Sequence, residues 1–491
     1  MSGKVWWARV VTAAAVAVCG CAVGPDFQRP RAPDVAGYTA EPPAPTAAAE
    51  TRGGQGQRFV RELDIPGQWW TLFRCEALNR LIEQALEDNP DVGAAQAALR
   101  QANEEVHARE GALLPSADAG VQAERERLAG ASIGEPQFNP TFSVVTASVN
   151  VSYLPDVFGG TRRQIESLAA QAEYQRFQLE ATYLTLISNL VVAAVQEASL
   201  RGQIAATEQI LKIETGELDL IRRRFQVGVV SRADVLLQET TIDQTRATLP
   251  PLQKQLAQVR NRLAALVGRL PSQGVGETFD LDSLRLPQDL PVSLPSQLVE
   301  QRPDIRLAEA QLHAASAGVG VAVANQLPQF SISAAVGTTA TGFAALPGAG
   351  VWDVAAGAAQ TLFDAGTLLH KKRAAVAAFD QATAEYRSAV VKAFQNVSDV
   401  LRALQADADD LVAQDAAERS AFDGLELARQ QFHADTIDYV TVLIAERSWQ
   451  QARINRIQAE GNRYADTAAL FQALGGGWWH RSDVNRSSPA S

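Results

Sequence analysis

The chain is written twice, and no other feature limits its fold as strongly. NPDVGAAQAALRQANEEVHAREGALLP at 89–115 matches RPDIRLAEAQLHAASAGVGVAVANQLP at 302–328. Pro90 and Pro303 lie 213 residues apart, and so do Pro115 and Pro328. Further on, FQVGVVSRADVLLQE at 225–239 lies over FHADTIDYVTVLIAE at 432–446 with an offset of 207, sharing Phe, Val, Leu and Glu. Two matches in one order define an internal repeat whose intervening loops differ by a few residues. Each half holds the same parts: helix, hairpin, long helix, short turn, long helix.

The long helices carry an apolar residue every seventh position. In the first half this grid is Ile204, Leu211, Leu218 and Phe225. In the second it is Val390, Val397, Leu404, Leu411, Leu425 and Phe432, broken by Glu418, with Tyr386, Phe394, Leu401 and Ala408 between. That is coiled-coil spacing. The stretches 161–226 and 367–431 contain no proline. As helices, each extends ~100 Å at 1.5 Å per residue, more than a globular domain requires.

Between the helices the period changes to two. Ala117, Ala119, Val121 and Ala123 alternate with Ser116, Asp118, Gly120 and Gln122. Val145, Ala147, Val149, Val151 and Tyr153 alternate with Thr146, Ser148, Asn150 and Ser152. Phe330, Ile332, Ala334 and Val336 alternate with Ser331 and Ser333, and 351–362 is apolar with weaker alternation. These are strand signatures, joined as hairpins by Gly- and Pro-bearing loops at 130–140 and 341–350. Strands of this length suit a transmembrane β-barrel, while a soluble sheet beside the helices is the plainer alternative. Four strands cannot close a barrel, and an open edge is not tolerated in lipid, so several chains must contribute. Two copies give eight strands with a filled interior, and three give twelve, which leave room for a channel.

The N-terminus is an address. Lys4 and Arg9 flank an uncharged run, Val10 to Val18, far short of the ~20 residues of a spanning helix, so it reads as a signal-peptide core. Val18-Cys19-Gly20-Cys21 follows and resembles a lipoprotein cleavage site, which makes Cys21 the acylated first residue of the mature chain. Ala22 in the next position resembles outer-membrane sorting. Processing would leave Cys75 as the one thiol, with no partner for a disulfide. The covalent lipid is the only attached group expected; no cofactor or metal is.

Net charge is −11, which argues against nucleic acid as a partner. Hydrophobic residues at 46% and a mean hydropathy of −0.09 exclude both a disordered chain and a helical membrane transporter. No catalytic constellation is visible. His107, His313, His370, His433 and His480 are scattered without a repeated nucleophile context. Gly475-Gly476-Gly477 is no phosphate loop, since no Lys-Ser/Thr follows, and reads as a helix stop.

Together these features resemble the TolC-type outer-membrane efflux proteins, specifically their lipoprotein branch. The motifs are CAVGPDFQRP (21–30), Trp69-Trp70 in GQWWTLF, LNRLIEQALEDNPDV (78–92), RPDIRLAEAQL (302–312), QTLFDAG (360–366), VTVLIAERSW (440–449) and LFQALGGGW (470–478). The resemblance implies an α+β membrane protein. Its parts would be a long α-helical coiled-coil barrel and a four-stranded contribution to a trimeric, 12-stranded outer-membrane β-barrel. It implies the exit duct of a tripartite pump that exports small molecules. Its partners would be two further copies of itself, outer-membrane lipid, a periplasmic adaptor and an inner-membrane transporter, commonly of the resistance-nodulation-division class. The parts are then a signal peptide (1–20), a lipid-anchored strap (21–75), a first repeat (76–270), a linker (271–294), a second repeat (295–474) and a tail (475–491). Hairpins are expected at 116–154 and 329–362, and long helices at 161–226, 231–268, 367–431 and 437–474.

In that family the turns between the long helices face the adaptor and narrow to the resting gate. Here they are Val227 to Asp234 and Ala434 to Thr441. Gly228, Val229, Ser231 and Thr436 are the expected adaptor-contact residues, with Gly228 suited to a left-handed backbone. Asp435 stands where the family usually has glycine, and Ile444 where relatives often place a gate carboxylate. The constriction is therefore expected to be apolar, from Val440 and Ile444, closing by dewetting. Asp234, Asp435 and Asp438 are candidate tip carboxylates that threefold symmetry would turn into cation-favouring rings. The plainer role for Ser231 and Asp438 is capping of helix starts. A type I protein-secretion duct, a non-conducting periplasmic coiled-coil scaffold and a secreted enzyme are the other function classes left open.

Overall fold

In the computed structural model the described residues are 22–129, 134, 137, 139–348, 350–434 and 436–481. Cys21, the signal segment, Asp435 and the tail beyond Arg481 lie outside them. The helices are α1 (Glu76–Asp88), α2 (Pro90–Glu110), α3 (Gly160–Gln226), α4 (Arg232–Leu266), α5 (Pro295–Gln301), α6 (Pro303–Ala324), α7 (Thr367–His433) and α8 (Tyr439–Ala473). The strands are β1 (Arg58–Arg61), β2 (Ser116–Arg127), β3 (Thr141–Tyr153), β4 (Asp289–Val292), β5 (Gln329–Ala340) and β6 (Gly350–Ala359). The repeat carries through to element lengths. Helices α3 and α7 have 67 residues each, and α4 and α8 have 35 each.

Two compact units form, and they do not follow the repeat boundary. One is built from Ala98–Gln175 and Leu307–Arg387 with the described residues before Pro30. The other takes Pro30–Ala97, Arg176–Arg306 and Ser388 onward. Each unit thus draws matching pieces from both halves, because equivalent parts of the two halves share a core.

The first unit holds an antiparallel sheet in the order β2-β3-β5-β6. Its register puts the alternating apolar residues on one face in continuous rows. Ala119, Val149, Val336 and Trp352 make one row, and Ala117, Val151, Ala334 and Val354 the next. The weak alternation of the fourth segment is resolved here, since Trp352 and Val354 extend the apolar face. On the other face Ser116, Ser152 and Ser333 align, with the Ser116 and Ser152 hydroxyls 2.8 Å apart. Strands β2 and β6 are the two edges, and every residue in them is exposed. Strand β6 stops at Ala359, short of the expected 362. Leu362 and Phe363 follow it almost fully exposed, because no partner strand continues beside them. Strand β2 runs on past Ala123 through four charged residues to Arg127.

The N-terminal strap closes on this unit. Arg163 donates to Val23 O at 3.1 Å and to Asp26 at 2.6 Å, and Phe27 stacks on His313 at 4.3 Å. Ala22 rests against Gly159, where an added Cβ would meet the Ala22 Cα at 2.6 Å. These contacts fix residue 22 at the junction of β3 and α3.

In the second unit Trp69 stacks on Phe471 at 5.1 Å, and Trp70, Phe73, Leu78 and Tyr464 complete a buried core. Arg463 is wholly buried, yet its guanidinium is hydrogen-bonded to the strap at Thr46, Gly53 and Gln55, and Glu460 accepts from Gly53 N. A buried charge requires such partners. The three glycines after α8 all have positive φ, and Gly476 N donates back to Phe471 O at 2.8 Å, ending the helix as the sequence implies.

The seven-residue grid is obeyed in α7, where Val390, Val397, Leu404, Leu411 and Leu425 are buried along with Tyr386, Leu401 and Ala408. At the break, Glu418 ion-pairs with Arg456. In α3 the grid is corrected. Leu218 is buried, Ile204 and Leu211 are half-buried, and Phe225 faces outward. The buried line there is Ile210, Glu214, Leu218 and Ile221, which follows the 3.6-residue period of a straight helix.

Candidate functional site: the helix turns and the charges behind them

Helices α3 and α4 are joined by a five-residue turn, and α7 and α8 by its repeat. Gly228 has φ +78° with no atom within 4 Å of an added Cβ, so the left-handed backbone alone selects glycine there. Val227 and Val229 project into solvent. At the start of α4, Ser231 and Asp234 form a reciprocal capping box. Asp234 N donates to Ser231 Oγ at 3.3 Å, and Asp234 Oδ2 accepts from Ser231 N at 2.8 Å. The second turn inverts the pair. Asp438 is the cap and accepts from Thr441 N at 3.1 Å and Thr441 Oγ1 at 2.7 Å. Those Thr441 hydrogen bonds hold the Asp438 carboxyl below the usual range. Thr436 closes the end of α7 by donating from its hydroxyl to Gln431 O at 2.9 Å. Asp234 and Asp438 are therefore caps as well as exposed charges, and Asp435 lies outside the described residues.

Val440 and Ile444 sit one turn apart on α8, 42% and 62% exposed, while Tyr439 before them and Val442 and Leu443 between them are buried. The single chain gives the exposed pair no core to enter. Sequence reasoning missed their repeat partner: Leu237, at the position equivalent to Ile444, is also exposed.

It also missed the charges behind the turns. Arg429 on α7 donates to Glu446 on α8 at 2.9 Å and pairs with Glu217 on α3 at 2.7 Å and Glu426 at 3.1 Å. Tyr439 Oη donates to Gln238 at 2.7 Å, Gln238 donates to Glu214 O at 2.8 Å, and the Thr245 hydroxyl donates to Glu214 at 3.0 Å. The network crosses all four helices within the apolar cluster of Leu218, Ile221, Val235, Leu425 and Val442. Burial, reinforced by the Glu217 carboxyl, pushes Glu446 up to about 9. Burial also pushes Glu214 up to about 7. A carboxyl buried beside a second carboxyl favours its neutral form, so Glu446 retains its proton at neutral pH. The signal was present in the sequence: Arg222 and Glu239 of the first half stand where Arg429 and Glu446 stand in the second.

This arrangement offers no nucleophile beside a base. Among the described residues there is also no cluster of His, Cys, Asp and Glu that could hold a metal ion. The comparison with known families is decisive: the family described as outer membrane efflux protein matches residues 81–269 and, separately, 294–476. The chain belongs to the outer membrane efflux protein family. The two matches begin 213 residues apart and end 207 apart, the same two offsets that the repeated segments carry.

Relatives cover nearly the whole chain. Toluene efflux pump outer membrane protein TtgF of Pseudomonas putida is 30% identical over 489 residues, 95% of this chain and 96% of that one. Pyoverdine export outer membrane protein OpmQ of Pseudomonas putida is 29% identical over 444 residues, 89% of this chain and 94% of that one. The solved structure of the outer-membrane channel OprN superposes with a TM-score of 0.83 at 28% identity, covering 93% of this chain and all of that one. The family's members are channel and transport proteins of the outer membrane, and this efflux protein shares their helical barrel and strand contribution.

Proposed function

We propose that three copies of this efflux protein close their sheets into one 12-stranded outer-membrane barrel and form the exit duct of a tripartite pump. The observation that carries this reading is the sheet order β2-β3-β5-β6, with β2 and β6 as unpaired edges flanking a continuous apolar face. Lipid does not hydrogen-bond an open edge, so β6 of one copy must pair with β2 of the next. A periplasmic adaptor and an inner-membrane transporter of the resistance-nodulation-division class would deliver cargo, with Gly228, Val229, Ser231 and Thr436 at the adaptor contact. Small organic compounds are the cargo class that the relatives' names favour. Val440 and Ile444 would form the resting constriction, and Cys21 would carry the lipid. No cofactor and no catalytic step enter this reading. Light scattering of the detergent-solubilised protein tests it. A trimer mass is expected, and a monodisperse monomer or dimer would overturn the 12-stranded closure.

A further inference from the structure

The second unit contains an open cavity of about 530 Å³, lined by none of the residues at the helix turns. Three stretches of chain build it: the strap at Arg52 and Gln55, the loop at Leu72 and Arg74, and residues Arg285 to Asp289. Arg285 N donates to Phe73 O at 2.9 Å and Gln288 donates to Gln55 at 2.6 Å, so the walls are tied together.

Its chemistry is basic in a chain of net charge −11. Asp289, the one acid in the lining, already accepts from Arg58 at 2.9 and 2.7 Å. Arg52 reaches Asp282 at 3.4 Å, an exposed pair of the kind that contributes little. Among the described residues no ion pair engages the Arg74 or Arg285 guanidinium.

The Arg74 backbone is the second observation. It sits at φ +50°, ψ +38°, a left-handed conformation that glycine would hold more cheaply. Strain of this kind collects where a side chain must be aimed. Here it closes the helical turn at 69–73, with Arg74 N donating to Thr71 O at 2.9 Å, and leaves Arg74 among the residues that line the cavity.

We propose that this cavity binds an acidic peptide, with Arg52, Arg74 and Arg285 receiving its carboxylates and Gln55 and Gln288 its backbone amides. The planar guanidinium fork matches a carboxylate with two parallel hydrogen bonds. The volume falls within the range of ligand pockets, ~300–1,000 Å³, and exceeds what one inorganic ion fills. The paired glutamines suit peptide groups, which both donate and accept.

The test is calorimetric titration of the purified full chain in detergent with tri-glutamate at low salt. The native protein is expected to bind it, Arg74→Gln/Arg285→Gln to bind at least tenfold more weakly, and Arg80→Gln, an exposed residue of α1, to bind as the native does. Arg74→Gly separates function from structure, because relief of the left-handed strain should raise the melting temperature while binding falls. Unchanged affinity in the double variant, no binding by the native chain, or equal binding of tri-lysine would overturn the site. Inorganic phosphate binding as tightly as the peptide would overturn the peptide class.

Discussion

Arg429 and Glu446 are joined at 2.9 Å behind the second helix turn, and they repeat Arg222 and Glu239, joined at 2.7 Å behind the first. The pairs have one geometry in two environments. Arg222 and Glu239 are 51% and 38% exposed, whereas Glu446 retains 4%. A surface pair of this kind contributes ~0–1 kcal/mol. In the buried copy, removal of Arg429 leaves the buried Glu446 carboxyl without its hydrogen-bond partner and Glu217 without its counter-ion, and an unsatisfied buried polar group costs ~1–3 kcal/mol. Arg429→Ala should therefore lower the urea midpoint markedly, and Arg222→Ala should barely move it.

The buried pair also sets a pH dependence. Glu446 is pushed up to about 9 in the fold, mainly by burial, so the native state holds a proton that the unfolded chain releases near pH 4.5. The contribution of this group to stability is then fully present below about 4.5, declines as pH rises through about 9, and is lost beyond. Glu214, pushed up to about 7, adds to the decline in the lower part of that window. Thermal melts between pH 6 and pH 9 should show a falling midpoint in the native protein and a flatter profile in Glu446→Gln.

The contrast between the two pairs explains what the sequence carried. Repeat offsets, strand alternation and helix lengths are written locally, so the elements and their duplication were legible. The burial of Glu446 was not, because Glu239 holds the equivalent position of the repeat, after the same Val-Leu pair, and lies exposed. Only the packing of four helices around Leu218, Val235, Leu425 and Val442 tells the two copies apart. Phe225 misled for a related reason: a seven-residue grid drifts around a straight helix, and over three repeats it leaves the buried stripe. The glycine run, by contrast, was readable, since three consecutive glycines after an apolar helix have few uses.

Glycines separate backbone demand from close packing. At Gly475 φ is +97° and an added Cβ would lie 2.4 Å from Gln301 O, a backbone atom that cannot swing away. At Gly228 φ is +78° but the space is open. Gly228→Ala should cost ~1–2 kcal/mol for the left-handed conformation alone. Gly475→Ala should cost visibly more, and chemical denaturation of both variants at one pH checks the order.

The strap contacts bear on the anchor. Arg163 holds Val23 and Asp26, and Ala22 packs on Gly159 between β3 and α3. Arg163→Ala should release the strap and speed tryptic cleavage after the exposed Arg31 several-fold, without loss of fatty-acid labelling. Cys21→Ser should abolish the labelling and leave the cleavage rate unchanged. Labelling that persists in the serine variant would show that the acylated residue is another one.

The gate joins the turns to transport. A duct open at rest would leak periplasmic contents, so the helical end must close on its own. Val440 and Ile444 are exposed in one chain although their neighbours Val442 and Leu443 are buried, which leaves the pair available to meet copies of itself near a threefold axis. Water leaves narrow apolar constrictions readily, and ions follow it. Adaptor binding would open the end by favouring a state in which α7 and α8 have moved outward, a shift limited by its differential affinity for that state. Replacement of Val440 and Ile444 together with Ser should raise single-channel conductance in planar bilayers and sensitise cells to bulky antibiotics. Asp234→Asn/Asp438→Asn should instead lower cation preference with little effect on closure. Asparagine is as good an N-cap as aspartate at 438, and at 234 its Oδ1 can still accept from Ser231 N, so the turns should keep their shape while losing charge. The charge effect should also shrink with salt, since screening falls to ~10 Å in 0.1 M salt. If the double Ser variant conducts no better than its parent, the constriction lies elsewhere on the tip, and the exposed Leu237 is the next residue to replace.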